Sequence, residues 1–314
     1  MCAKKIKNLQ PTAGQISRRA FVNMTGLSVL SASVMPAAVL AGFKNIPLKD
    51  TAKISIQLYT VRNELKKDMA GTLHKIADIG FGAVETAFWP DNISVKQAGK
   101  FLKDAGLSVS SAHVELPIGD KKQAMLEIAD TFNCKKMIWH GWPEDKRYST
   151  LDGTKELIDI YNEANHFATS NRLQFGLHNH WWEYRNKIGD QYVYQLLLEN
   201  VDPGIFFEID TYWVKVAGYD PAKIVEKFGK RAPLLHIKDG PAKWSDSLPK
   251  DEPEPMVAVG KGTQNFQAIV NAAHGNTEWM VVEMDVTATD VFEAINDSYY
   301  YLVKNGFAKG IKSV

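Results

Sequence analysis

Leu173-Gln174-Phe175-Gly176-Leu177-His178-Asn179-His180-Trp181-Trp182-Glu183 is the stretch on which the fold turns. Its first five residues read as a short buried strand. The next residues supply two imidazoles, an amide and a carboxylate with no loop in between. Ligand-type side chains directly at a strand end mark a site at that end. Three later segments share the design: Phe206-Phe207-Glu208-Ile209-Asp210, Leu234-Leu235-His236-Ile237-Lys238-Asp239 and Met280-Val281-Val282-Glu283-Met284-Asp285. Each is a short apolar strand that finishes in His, Asp, Glu or Lys.

Outward from these segments, a strand followed by an amphipathic helix recurs from Lys53 onward. Ile54 to Tyr59 is the first strand. Its helix has Asp68 as cap, Met69, Leu73, Ile76 and Ile79 on one face, and Gly80 as stop. Ala83 to Glu85, Leu107 to His113 and Lys136 to His140 are the next three strands. Ser94 caps the second helix, a third covers Lys121 to Phe132, and a long fourth runs from Thr154 to Asn171. A helix near Asp190 to Glu199 follows the fifth strand. Asp220-Pro221 opens the helix after strand six (Ile205 to Asp210), and Gly229 ends it. Pro233 to Lys238 and Trp279 to Asp285 are strands seven and eight, and a helix over Thr289 to Lys304 closes the chain.

Eight such repeats predict an α/β fold, a single-domain (β/α)8 TIM barrel over residues 42–314. The competing open, doubly wound sheet needs a glycine-rich phosphate turn after its first strand. Gln57 to Asn63 holds no glycine. The longest irregular piece, Gly240 to Gly262, follows strand seven at the catalytic end of a barrel and reads as a lid or a surface insertion.

A composition of 45% hydrophobic and 23% charged residues is that of a soluble globular protein with a sizeable core. The formal charge of +1 mixes two unlike regions. Residues 1–41 carry Lys4, Lys5, Lys7, Arg18 and Arg19 and no acid, so the remainder is mildly acidic. That balance lacks the basic footprint of a nucleic-acid-binding protein. Ser17-Arg18-Arg19-Ala20-Phe21 is a twin-arginine pair followed by a weakly apolar run from Val22 to Leu40, with Val39-Leu40-Ala41 offering small residues for cleavage. Residues 1–41 are therefore expected to be a twin-arginine-type export signal. The mature protein is then expected in the periplasm, touching a membrane only through an uncleaved signal. Gly26, Pro36 and the Ser/Thr content make the run a poor spanning helix. With Cys2 removed by cleavage, Cys134 has no partner for an internal disulfide.

Side chains alternate along a strand, so Glu208 and Asp210 share the inward face, as do His236 and Lys238, and Glu283 and Asp285. His178 ends strand five on the face of Gly176 and Gln174. His178, Asp210, His236 and Glu283 thus converge on one centre if the barrel forms. Two imidazoles and two carboxylates suit a divalent ion such as Mn²⁺, Mg²⁺, Co²⁺ or Zn²⁺. Each residue alone has an ordinary structural use: Asp210 as a turn cap, for instance, or Glu283 as a salt-bridge partner of Lys238. Four on separate strands of one barrel are not independent accidents.

Gln57-Leu58-Tyr59-Thr60-Val61-Arg62, His178-Asn179-His180 with Glu183, Glu208-Ile209-Asp210-Thr211, His236-Ile237-Lys238-Asp239 and Val282-Glu283 resemble the sugar phosphate isomerase/epimerase family. This is the xylose-isomerase-like barrel group that includes ketose 3-epimerases and inosose dehydratases, and the resemblance spans Ile54 to Phe307. It implies a divalent ion held by Glu, Asp, His and Glu from strands five to eight. Asp210, His236 and Glu283 match the last three, while His178 stands where the epimerases carry a carboxylate; His180 or Glu183 is the alternative ligand there. The resemblance also implies that Lys238 faces substrate and that Arg62, Glu85 and His113 line the pocket.

Both routes lead to proton abstraction beside a carbonyl, with Glu283, Glu183 and His180 as acid/base candidates and Lys238 as electrostatic stabiliser. Tyr59, Trp89, Trp139, Trp142, Trp181, Trp182, Trp213 and Trp244 lie at or beyond strand ends, where aromatic walls suit the C–H faces of a sugar; Trp182 and Trp213 are the substrate-binding candidates among them. The expected reaction is isomerisation or epimerisation of a non-phosphorylated sugar through an enediolate. β-Elimination from a keto-sugar or 3-oxo-glycoside is the alternative, and a non-catalytic sugar-binding barrel the second. Homo-oligomerisation is compatible with the group, and no stripe in the sequence proves it.

Overall fold

A computed structural model describes residues 51–243, 254–273 and 275–312. The export signal expected at residues 1–41, Trp244 and the middle of the Gly240–Gly262 segment lie outside them. The strands are short and buried on both faces, the pattern of a parallel sheet covered by helices. They are β1 (Lys53–Gln57), β2 (Ala83–Thr86), β3 (Ser108–Val114), β4 (Lys136–Trp139), β5 (Gln174–His178), β6 (Phe206–Asp210), β7 (Leu234–Ile237) and β8 (Trp279–Val282). Each pairs in parallel with the next, and β8 closes onto β1, giving the eight-stranded α/β barrel expected from the repeats. No helix among the described residues is long and apolar enough to cross a membrane.

Helix boundaries follow local chemistry. The Asp68 side chain accepts the Gly71 N–H at 2.9 Å at the start of α1 (Met69–Ile79), a cap that contributes about 1 kcal/mol. Gly80 ends that helix at φ 129°, and a Cβ there would meet the Tyr299 ring at 2.6 Å. Ser94 and Gln97 form a reciprocal capping box on α2 (Val95–Asp104), and Asp220-Pro221 opens the helix Pro221–Phe228.

Two regions depart from expectation. After β5 comes a single helical turn, Trp182–Arg185, and the longer helix starts at Val193, not Asp190, because Lys187–Ile188 and Gln191–Tyr192 pair as a small hairpin turned at Gly189, φ 60°. The helix after β7, Phe266–Ala273, is short and follows the proline-rich segment, so its periodicity was hidden in the sequence. Strand β8 also stops at Val282, so Glu283 and Asp285 stand just past its end rather than on it.

The barrel interior is layered. Ile138, Phe206, Leu234 and Val281 form a separate apolar cluster among themselves. Gly176 makes room for this cluster: a Cβ at that position would lie 2.3 Å from the Phe206 ring. Two residues further along the same strands come His140, Glu208, His236 and Glu283, and His178 follows Gly176 in the same way. The period-2 pattern therefore carries the interior from apolar to ionisable over one step. The Asp239 side chain, 1% exposed, accepts N–H donors from Gly240, Gly260, Gly262 and Gln264 at 2.9, 3.0, 2.9 and 3.1 Å, holding both ends of the segment after β7 together.

Candidate metal centre and substrate cavity

Five of the chain's eight histidines gather at the C-terminal ends of the strands, where barrel sites are built. Two sets of donor atoms lie within 4.8 Å of one another there: Asp210, His236 and Glu283, and His113, His178, Glu208 and His236. His236 joins them. Its Nδ1 lies 2.7 Å from Glu283 Oε2 and 3.9 Å from Asp210 Oδ2, while Nε2 lies 2.7 Å from Glu85 Oε1 and 3.1 Å from Glu208 Oε2. His178 Nε2 stands 3.9 Å from Asp210 Oδ2, so the four residues read as ligands from the sequence are brought together. Glu208, which that reading left without a role, sits at the middle of the deeper set. Its Oε2 lies 2.7 Å from His113 Nε2 and 3.1 Å from His178 Nδ1.

Lys238 is almost fully buried, and its Nζ lies 2.9, 2.7 and 2.9 Å from Asp210, Glu283 and Asp285. Burial opposes its charge, yet those three carboxylates hold it well above the ordinary lysine range. Burial likewise disfavours a charged His236, but Glu208, Glu283 and Glu85 hold it well above the usual imidazole value. Glu283 feels burial in the opposite sense, and Lys238 and His236 keep its carboxyl well below the usual range. Burial raises Asp210 and Glu85 and lowers His113, His178 and His180.

The donor set fits a divalent ion on its own chemistry. Asp210 Oδ2 and His236 Nδ1 are buried without a well-aligned hydrogen bond, and Lys238 Nζ at 2.9 Å and Glu283 Oε2 at 2.7 Å balance their charge instead. Imidazole and carboxylate together suit Mn, Co, Zn or Mg. Asp210, His236 and Glu283, with His178 completing the set, are the residues that would hold the ion.

A cavity of about 260 Å³ opens onto these groups. Arg62, His113, His178, His180, Trp213, Lys238 and Glu283 line it, together with Tyr59, Phe88, His140, Trp142 and Asp285. His140 was read as a strand end only. Its Nδ1 accepts the Trp142 N–H at 3.1 Å, so a neutral ring carries its proton on Nε2, 3.4 Å from Glu115; burial pushes it down to about 4.

Three sequence-based placements are corrected. Glu85 lies beneath the cavity, fully buried, with its carboxylate taken by Gln57 at 2.7 Å, Ser111 at 2.5 Å and His236 at 2.7 Å. Trp182 is buried under His180, ring on ring at 4.2 Å, and supports that imidazole from behind. Glu183 turns back so that Oε2 accepts the His180 N–H at 2.9 Å. None of the three is among the residues lining the cavity. In each case the inward direction was legible but the depth was not.

The family model of the xylose isomerase-like TIM barrel matches residues 73–298. Among solved structures, a sugar phosphate isomerase/epimerase from Parabacteroides distasonis is 26% identical, with 82% of this chain and 100% of that one covered at a TM-score of 0.66. An L-ribulose 3-epimerase is 16% identical (82% and 94% covered, TM-score 0.59). A probable 3-DHS dehydratase from Bacillus anthracis is 15% identical (80% and 98% covered, TM-score 0.56). The last two show likeness of fold alone. Comparison with curated proteins gave no match. A family model that covers most of the chain, on a closed barrel with a histidine–carboxylate cluster at its strand ends, settles the family: the chain belongs to the xylose isomerase-like TIM barrels.

Proposed function

We propose that this protein is an exported, divalent-metal-dependent isomerase or epimerase acting on a non-phosphorylated sugar through an enediolate. The observation that carries the reading is the convergence of two imidazoles and two carboxylates, His178, Asp210, His236 and Glu283, beneath a cavity that His178 and Glu283 line. An ion bound there supplies Lewis-acid polarisation of a carbonyl or hydroxyl. The other steps belong to the chain's own groups. His180, held neutral by burial and braced by Trp182, faces the cavity from β5 and is the candidate to take the proton beside the carbonyl. The electron pair of that C–H bond passes into the enediolate, whose negative charge the Lys238 ammonium stabilises. Returning the proton to the adjacent carbon isomerises the sugar; returning it to the other face epimerises it. The ionised Glu283 carboxylate on the β8 side has no proton to give to that face; it takes the substrate hydroxyl proton and passes it between the enediolate oxygens, and the proton added on epimerisation comes from solvent.

Electrostatics favour a substrate without phosphate. Lys238 is committed to three carboxylates, and Arg62 spends two nitrogens on the Tyr59 and Asp285 carbonyls, each at 2.9 Å. Glu283 and Asp285 also line the cavity and would repel a dianion. Elimination from the same enediolate is a second reading, favoured by an open cleft beside the cavity with room for a leaving group.

Elemental analysis of the purified protein beside His236→Ala, with mass spectrometry of free sugars and 3-oxo-glycosides incubated in D₂O, tests both. About one metal per chain, lost in the variant, with deuterium in a mass-conserved product supports the isomerase. Metal together with a released aglycone or water moves the assignment to a lyase. No metal and no exchange removes both.

A further inference from the structure

We propose that the substrate has at least two sugar rings, the second lying in a separate cleft outside the central cavity, between the segments that follow β1 and β2. The proposal rests on the sugar chemistry assigned to the central cavity and names the size class of its substrate.

The cleft has a volume of about 510 Å³ and shares Tyr59, Arg62 and Phe88 with the central cavity, so the two volumes meet along one wall. Among the described residues five large apolar side chains are exposed, and two of them, Phe88 at 58% and Tyr59 at 37%, stand at this junction. Exposed aromatic surface at the mouth of a site is surface kept for a ligand more readily than for packing. Nor is the wall loose. The Arg62 guanidinium stacks on the Tyr59 ring at 4.0 Å and is tied to the carbonyls of Tyr59 and Asp285 at 2.9 Å each. Phe88 meets His140 edge-on at 5.2 Å, and Trp89 packs against Phe132 at 5.8 Å.

The remaining lining decides the chemistry of the occupant. Lys66, Asp91 and Asn92, all exposed, stand around the aromatic surfaces of Phe88 and Trp89. Flat apolar faces rimmed by both donors and acceptors match a pyranose, which offers C–H patches on its faces and hydroxyls around its edge. An aryl group would use the rings and leave the polar rim idle. A single sugar in the central cavity would leave the whole cleft idle. A glycosidic bond passing the Tyr59–Arg62–Phe88 wall fills both volumes with one molecule.

The test is calorimetric binding to the full chain of glucose, galactose and mannose, their (1→4)-linked disaccharides, and phenyl β-D-glucoside. It uses wild type, an Asp91→Ala/Asn92→Ala variant and Phe88→Ala. Asp91 and Asn92 are exposed and touch only the outer cleft, so the double variant leaves the central cavity intact. The expected result is a disaccharide binding about ten-fold or more tighter than its parent monosaccharide. The double variant then loses most of that advantage with monosaccharide affinity unchanged, and Phe88→Ala weakens the disaccharide further. No disaccharide in the panel binding tighter than its monosaccharide overturns the proposal, as does an advantage that survives the double variant. A gain confined to phenyl glucoside overturns the assignment of a sugar. The two readings fail separately: deuterium exchange into monosaccharides without a disaccharide advantage removes only this one. A disaccharide advantage in a protein with neither metal nor exchange removes only the isomerase.

Discussion

Replacing Glu183 with Gln isolates the electrostatics of a buried carboxyl that never meets the cavity. Glu183 is 3% exposed, and burial pushes its pKa up to about 8 from an ordinary 4.5, against the opposing pull of the backbone N–H groups, including that of His180. In the folded protein the group therefore keeps its proton across neutral pH, whereas in the unfolded chain it loses it above 4.5. Between those two values the folded state binds the extra proton, so stability falls as pH rises. Each pH unit costs about 1.4 kcal/mol, and from pH 5 to pH 8 the loss accumulates to about 4 kcal/mol. Gln mimics the protonated acid: it keeps an oxygen to accept the His180 N–H and cannot ionise. The stability gap between Glu183→Gln and wild type should widen in favour of the variant by that amount over the range, or about 8 °C in Tm. Thermal melts of both proteins at half-unit pH steps measure it. All other titrating groups are common to the two chains and cancel in the difference. Parallel Tm–pH curves would refute a protonated Glu183 and return it to the list of ionised acids.

Other perturbations test the layers on either side. Lys238→Met leaves Asp210, Glu283 and Asp285 without their shared cation; urea unfolding in chelator should show a loss of about 3–5 kcal/mol, partly restored by added Mn²⁺. An unchanged midpoint would mean that these carboxylates are already neutral. Gly176→Ala drives a methyl into the Phe206 ring and should cost about 1–3 kcal/mol, measured by the same unfolding curve; a neutral result would show that Phe206 turns away freely. Chelator dialysis of the wild type should lower Tm, and 100-fold excess of metal over its Kd should restore about 2.7 kcal/mol.

Much of this molecule was legible because barrels write their sites in two simple periods. Strand alternation put Asp210, His236 and Glu283 inward, and strand order placed them side by side. Depth was another matter. Glu208 and Asp210 differ by one step of the same alternation, and only the closed barrel shows Glu208 among His113, His178 and His236. Glu85 reads like a pocket acid until Ser111, Gln57 and His236 are seen to occupy it. Glu183 was misplaced for a different reason: the helix Trp182–Arg185 is a single turn, too short to leave a periodic trace, and it folds the carboxyl back onto its own strand end. His140 carried no partner in sequence, since Glu115 lies a strand away.

The carboxylate of Asp239 has one more consequence. It gathers the backbone at Gly240, Gly260, Gly262 and Gln264 into a neck, and Met256 and Val259, 0% and 1% exposed, pack the described return of the segment into the barrel end. Loop length is thermodynamically inexpensive when the closing contacts are held in this way. The two ends of the segment therefore meet the barrel at one buried carboxylate, and Met256 ties the returning end to the loop after β8 through the Val286 carbonyl at 2.8 Å.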